Sequence, residues 1–160
     1  MKKERFNGVE SSNPLGSVFS PDGRWVSYYS NAEAGVYRIF VQPFPPAGDK
    51  YLISKDLGAA RHPVWSPDGK EVFYVPALGQ FEVVALQTRP TFTFGNPVAV
   101  PVGAFVEAAV TTERNYDILP DGKRFIAAIP AEESQRGTPE REIRVVENWF
   151  EELKARVPVK

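Results

Sequence analysis

Short stretches of alternating apolar and polar residues recur along the chain, separated by clusters of Pro, Gly, Asp and Ser. A period of two predicts β-strands, because successive side chains of a strand point to opposite faces of a sheet. Some intervening residues, such as Phe73 and Ile126, are also apolar, which is typical of strands covered on both faces. The clearest alternating pairs are Val26/Tyr28, Val72/Tyr74 and Phe125/Ala127.

A Pro-Asp-Gly tripeptide precedes each of these pairs and marks an internal repeat. Its three copies are Pro21-Asp22-Gly23, Pro67-Asp68-Gly69 and Pro120-Asp121-Gly122, so the aspartates are 46 and 53 residues apart. A β-propeller blade takes about 40–50 residues. The spacing therefore predicts one propeller blade for each copy.

The tripeptide also predicts the connection between the first two strands of each blade. Proline sets φ for the second position of a type I turn, aspartate is tolerated at the third, and glycine accepts a positive φ after it. An apolar residue stands shortly before each turn (Phe19, Trp65, Ile118) and a basic residue directly follows it (Arg24, Lys70, Lys123). Leu119 replaces Ser20 and Ser66 in the third copy, so the serine is not essential to the turn.

The remaining elements follow at comparable distances. Third strands are predicted at 37–41, 81–86 and 143–146, and fourth strands at 51–54 and 97–101. No fourth strand is predicted in the third repeat, where Asn148 and Glu151 instead form a capping box. We therefore expect a single half-propeller domain with an N-terminal arm (1–12), three blades (13–56, 57–103 and an incomplete 104–147) and a C-terminal helix (148–158).

The segments 19–24 and 65–70 resemble the repeat of TolB-like, WD-repeat-like β-propellers. The stretches 37–45, 89–97 and 145–158 are similar to the last blades of propellers attached to bacterial serine/threonine kinases. The resemblance covers about residues 13–158 and implies an all-β propeller fold. It transfers no catalytic motif, and fold alone does not determine function.

Three blades are fewer than the six or more that such propellers usually have. A three-blade arc would expose an apolar blade face at each end, and such patches mark interfaces. We expect a homodimer in which two chains close one six-bladed ring, with the N-terminal strand of each completing the third blade of the other. The alternative is that the chain is part of a longer propeller.

Composition narrows the function classes. The chain has 160 residues and a net charge of −1, so no global field favours nucleic acid or an anionic membrane. It contains no cysteine, which excludes disulfides and thiol catalysis. The longest apolar run, 98–106, is interrupted by Pro101 and is too short to span a bilayer, and no secretory signal is recognised. A cytoplasmic location is the default expectation.

Few residues suggest chemistry. The turn aspartates could be metal ligands, but they lack neighbouring carboxylates in sequence, so a turn role is favoured. His62 is the only histidine and no Gly-x-Ser-x-Gly elbow accompanies it. Arg61 and His62 open the first strand of the second repeat, which in a propeller lies near the central channel. A structural role is favoured for His62, with contact to a ligand in the channel as the alternative.

We therefore expect no catalytic, cofactor or metal site. The expected function is a non-enzymatic binding or scaffold module for a protein, peptide or other ligand. The alternative is a non-catalytic propeller fragment of a larger enzyme, either a serine/threonine kinase sensor or a prolyl-oligopeptidase-like hydrolase.

Overall fold

The computed structural model describes residues 15–32, 35–47, 49–55, 59–77, 79–101, 114–130 and 141–146, which form twelve β-strands. No helix in these ranges is long and apolar enough to cross a membrane. The arm predicted at 1–12 and the helix predicted at 148–158 lie outside the described residues.

The first sheet contains four antiparallel strands in chain order: β1 (Leu15–Phe19), β2 (Trp25–Ser30), β3 (Arg38–Pro43) and β4 (Tyr51–Leu52). β2 and β3 pair without interruption, from Trp25 opposite Pro43 to Ser30 opposite Arg38. The first repeat thus forms one four-stranded blade.

The second sheet contains β5 (Arg61–Trp65), β6 (Glu71–Val75), β7 (Glu82–Gln87), β8 (Thr93–Phe94) and β9 (Val98–Ala99). Two short strands take the place of a single fourth strand: β8 pairs with the end of β7, and β9 pairs with the start of β7. The predicted strand at 97–101 contains β9, whereas β8 was not predicted. Pro97 has no amide hydrogen and cannot continue a ladder.

The third sheet contains β10 (Tyr116–Ile118), β11 (Phe125–Pro130) and β12 (Arg141–Val146), again antiparallel and in chain order. The strand predicted at 143–146 lies in β12, which begins two residues earlier. Within the described ranges, this sheet has three strands.

The first strands of the three sheets lie side by side, with β5 next to both β1 and β10. Each later strand lies farther from this inner row, as in the radial layout of propeller blades. The predicted all-β fold of successive antiparallel sheets is confirmed, with four strands in the first blade. Closure of a ring, the homodimer and the domain limits stay predictions.

Two apolar cores lie between the sheets. Between the first and second sheets, Ile39, Val41 and Ile53 pack with Trp65, Val72 and Tyr74. Between the second and third sheets, Phe73 and Phe81 pack with Phe125 and Tyr116. Full burial of such a side chain contributes about 1.5–3 kcal/mol, so these cores hold neighbouring blades together.

The sequence predicts an exposed apolar blade face at each end of the three-blade arc, but only one of the two is found. Val26, Tyr28 and Phe40, which point away from the second sheet, are buried within the chain. On the far side of the third sheet, Ile126 is 39% exposed, whereas Phe73 at the same repeat position is fully buried. Apolar exposure is therefore found on the third sheet but not across the centre of the first.

Candidate binding site at the start of the inner strands

The blades present two distinct ends. The three Pro-Asp-Gly turns lie together at one end, because a Cβ added to Gly69 would lie 3.6 Å from Pro21 and one added to Gly122 would lie 3.5 Å from Pro67. We call this the turn end. The inner strands β1, β5 and β10 begin at the opposite end, which we call the bulge end.

A β-bulge lies near the start of β1 and of β5. The pairing register shifts between Leu15 and Val18 and, in the same way, between Arg61 and Val64. Gly16 and His62 occupy the bulges with φ of 71° and 57°, the left-handed region. Bulges bend a strand and redirect its neighbouring side chains. Arg61 is therefore placed directly beside a bend of the backbone.

Tyr29, near the end of β2, lies across the first bulge. A Cβ added to Gly16 would lie 2.2 Å from Cε1 of Tyr29, so only glycine leaves room for this ring. The Tyr29 ring makes edge contacts with Tyr37 at 5.4 Å and with His62 at 5.6 Å between centroids. Burial raises the pKa of Tyr29, although Arg61 opposes this, so the phenol is neutral near pH 7.

Arg61 lies on the face of Tyr37. Its guanidinium carbon is 4.7 Å from the ring centroid, within the range of a cation–π interaction. The residue is half-buried. Its charge is therefore held in a defined place at the bulge end while part of it remains accessible.

His62 is buried, and its backbone carbonyl accepts a hydrogen bond from the hydroxyl of Tyr116 on β10. Burial raises the pKa of Tyr116 far above its usual range, so this hydroxyl remains a donor. The two residues predicted to be near the channel thus differ: His62 links two blades, while Arg61 reaches the surface.

Arg114 and Arg38 add positive charge at the same end. Arg114 donates to the carbonyl of Pro63 at 3.1 Å and lies 3.7 Å from Asp117. Arg38 opens β3, and its buried Nε has no hydrogen-bond partner among the described residues. Sequence reasoning missed both. Arg114 could have been found, because it and Arg61 each stand seven residues before a turn aspartate.

The acidic side chains described at this end are already engaged. Asp117 faces Arg114, and Glu82 accepts a hydrogen bond of 2.6 Å from the hydroxyl of Tyr74. Within the described residues, the bulge end thus combines three arginines with a tyrosine pair. Such a surface suits a carboxylate or another anionic group.

At the turn end, the predicted turn residues form compact turns. In the first, the amide of Gly23 donates to the carbonyl of Ser20 at 2.9 Å. Asp22 accepts from the Ser20 hydroxyl at 2.7 Å and from the Arg24 amide at 3.1 Å. The Ser20 hydrogen bond lowers the pKa of Asp22, so the carboxylate is ionised at neutral pH.

The second turn repeats these bonds, with the Ser66 hydroxyl donating to Asp68 at 2.7 Å. In the third, where Leu119 replaces serine, the carboxylate of Asp121 instead accepts from the side chain of Arg124 at 2.7 Å. Hydrogen bonds from the Lys123 amide and from Arg124 lower the pKa of Asp121. All three aspartates therefore stabilise their own turns.

A cleft of 320 Å³ lies between the first two turns, lined by Ser20, Pro21, Asp22, Pro67, Asp68, Gly69 and Thr88. Asp22 also faces the guanidinium of Arg89 at 3.5 Å. In the part of the chain that the structure describes, no three His, Asp or Glu side chains group as a metal site would require.

Comparison with solved structures gives a similarity of fold. TolB from Acinetobacter baumannii superposes with a TM-score of 0.54 at 15% identity, over 84% of this chain and 30% of TolB. Two proposed 6-phosphogluconolactonases, from Bacteroides uniformis and Bacteroides fragilis, have TM-scores of 0.45 and 0.47 at 21% and 17% identity. The alignment with the Bacteroides uniformis protein covers 82% of this chain, and that with the Bacteroides fragilis protein covers 89%. Each alignment covers 41% of the other protein.

No protein-family model and no curated protein matches the sequence. The chain spans less than a third of the length of TolB. At this identity the similarity to TolB shows the fold alone. The arrangement of the three sheets is thus that of a propeller-type fold.

Proposed function

We propose that this chain is a non-enzymatic β-propeller module that binds a protein or peptide partner at its bulge end. The observation that carries the proposal is the guanidinium of Arg61 held over Tyr37 beside Tyr29. Arginine and tyrosine are enriched among the residues that anchor protein interfaces. Arginine also binds carboxylates through two parallel hydrogen bonds.

The described titratable groups support binding rather than catalysis. His62 is buried against Tyr29, and its carbonyl accepts the hydrogen bond from Tyr116 that joins the second and third blades. Asp22, Asp68 and Asp121 accept hydrogen bonds from their own turns. These groups thus have structural roles, and the half-buried Arg61 is the side chain that we propose meets the partner.

The proposal includes the homodimer expected from the three-blade arc. It is supported by apolar exposure at one corner of the first sheet, at Phe19, and on the far face of the third sheet, at Ile126, although the centre of the outer face of the first sheet is buried. The resemblance to kinase-attached propellers supports a scaffold or sensor role for such a module.

The binding site is tested by selecting 12-residue peptides from a phage-displayed library on the immobilised chain. Selected peptides are labelled, and their affinity is measured by fluorescence polarisation. Loss of a hydrogen bond to a charged group costs about 1.5–3 kcal/mol, so Arg61→Gln should weaken binding about tenfold or more. We expect the selected peptides to be rich in Asp and Glu.

Lys50→Gln is the matched control, because Lys50 also lies over an aromatic ring, that of Phe40 at 5.2 Å, in another part of the first blade. This variant should bind with unchanged affinity. Failure to enrich any peptide, or equal affinities for the chain and its Arg61→Gln variant, would refute the bulge-end site.

A further inference from the structure

Successive turns pack through one repeated contact, a proline ring against the glycine of the following turn. Pro21 lies against Gly69, and Pro67 lies against Gly122, at nearly equal distances of 3.6 and 3.5 Å from an added Cβ. Both glycines have a positive φ, 69° at Gly69 and 65° at Gly122. The contact is therefore a regular feature of how one blade follows another.

The series has an open position at each side. Gly23, with a φ of 69°, has no atom of the described residues within 4 Å of an added Cβ. Pro120 takes the place of Pro21 and Pro67 in the third turn, and the sequence contains no fourth Pro-Asp-Gly whose glycine it could meet. One side of the arc thus offers the glycine half of the contact and the other side offers the proline half.

A second repeated contact shows the same opening. Trp65, at the end of β5, is 4% exposed, and its indole donates to the carbonyl of Val18 on the preceding blade at 3.2 Å. Phe19 takes the same position on β1 but is 53% exposed. Its ring packs edge-on against Phe44, whose own exposure is 43%. The inner corner of the first blade is thus an exposed aromatic pair beside an open glycine.

We infer that this corner receives the third turn of a second copy of the chain, with Pro120 packed on Gly23 and the inner strand β10 beside Phe19. The inference specifies the contact of the homodimer proposed above and is independent of the bulge-end partner. Two chains joined in this way are related by a twofold axis and form two identical contacts. Because Val26 and Tyr28 are already buried, the contact is confined to the inner strand and the turn.

Engineered cysteines test this arrangement directly, since the chain has no cysteine of its own. In the double variant Gly23→Cys/Pro120→Cys, mild oxidation should produce a covalent dimer with two disulfides on a non-reducing gel. The matched control is Pro21→Cys/Gly69→Cys, which places the two cysteines in the contact seen within one chain. After oxidation this variant should run as a monomer on the same non-reducing gel.

Phe19→Ala gives a second readout by sedimentation velocity. It should lower the dimer fraction, whereas Phe94→Ala, which truncates an exposed aromatic on β8, should not. Oxidation that yields only monomer, although both cysteines react with a thiol reagent, overturns the contact. A dimeric mass by light scattering without the crosslink also overturns this contact, and it would mean that the homodimer forms through another surface.

Discussion

His62 holds a backbone conformation that L-residues other than glycine rarely adopt. Its φ of 57° lies in the left-handed region, where Gly16 fills the equivalent bulge of the first blade. A left-handed residue costs roughly 1–2 kcal/mol relative to the right-handed region. Two contacts offset this cost: the His62 ring packs on Tyr29, and the His62 carbonyl accepts a hydrogen bond from the Tyr116 hydroxyl.

Substitution of His62 should therefore depend on backbone preference as well as size. His62→Val places a β-branched residue in the left-handed region and should lower the free energy of unfolding by about 2–4 kcal/mol. His62→Asn should cost less, about 1 kcal/mol, because asparagine tolerates this region. Urea denaturation measures both, and equal losses would show that φ does not set the cost.

Ser66 organises the second turn through its buried hydroxyl. The hydroxyl donates to Asp68 and accepts from the amide of Glu71 at 2.9 Å. Partial burial raises the pKa of Asp68, but the hydrogen bonds from Ser66 and from the Lys70 amide outweigh it, and the pKa is lowered. A lowered folded-state pKa stabilises the protein above the unfolded value of about 4, and this stability is lost as the pH falls through the folded pKa.

Ser66→Ala should lower the unfolding free energy at pH 7 by about 1–2 kcal/mol through the lost hydrogen bonds. The difference from the unchanged chain should shrink as the pH falls from about 4 through the lowered folded-state pKa of Asp68, because protonation weakens its hydrogen bond with Ser66. Thermal melts of both proteins between pH 2.5 and 7 measure this difference in stability. Ser17→Ala, at an exposed position of β1, is the control and should show neither effect. A pH-independent difference would contradict this role of Asp68.

At the scale of the element, β1 depends on glycine at its bulge for two separate reasons. Gly16 has a φ of 71°, and its missing side chain makes room for Tyr29. Gly35 has a similar φ of 69°, but in the part of the chain that the structure describes no atom lies within 4 Å of an added Cβ. Comparing the two positions separates backbone strain from the steric overlap with the ring.

Gly16→Ala should destabilise the protein by about 3 kcal/mol or more, because strain and overlap add. Gly35→Ala should cost about 1–2 kcal/mol, the strain alone. Equilibrium unfolding followed by tryptophan fluorescence gives both values. Similar losses at the two positions would mean that the Tyr29 ring moves aside without cost.

The strands themselves were largely predictable, because the Pro-Asp-Gly turns and the alternation of period two are local signals. The bulges were not, since their residues differ in identity, Gly16 in one blade and His62 in the next. The division of the fourth strand into β8 and β9 depends on how β7 pairs with both. Arg61 was found from the sequence, but its contact with Tyr37 joins two blades and therefore required the structure.

At the scale of the whole molecule, aromatic contacts join the blades. Phe125 of the third sheet makes edge contacts with Phe73 at 5.1 Å and Phe81 at 5.3 Å on the second. Trp25 and Tyr51 of the first sheet pack on Phe92 of the second, with centroids 4.6 and 4.3 Å apart. Since each contact joins residues of different repeats, the blades should unfold together rather than singly.

Phe125→Ala tests this coupling, because it empties the junction between the second and third sheets. A buried phenylalanine truncated to alanine costs about 3–5 kcal/mol, and we expect this loss with a single cooperative transition. Phe94→Ala is the control, because that ring is 36% exposed and its loss should cost under about 1 kcal/mol. Scanning calorimetry and circular dichroism should agree on one midpoint. Two separated transitions in the Phe125→Ala variant would instead show that the third sheet unfolds independently, and the aromatic junction would then not be what makes the three blades one unit.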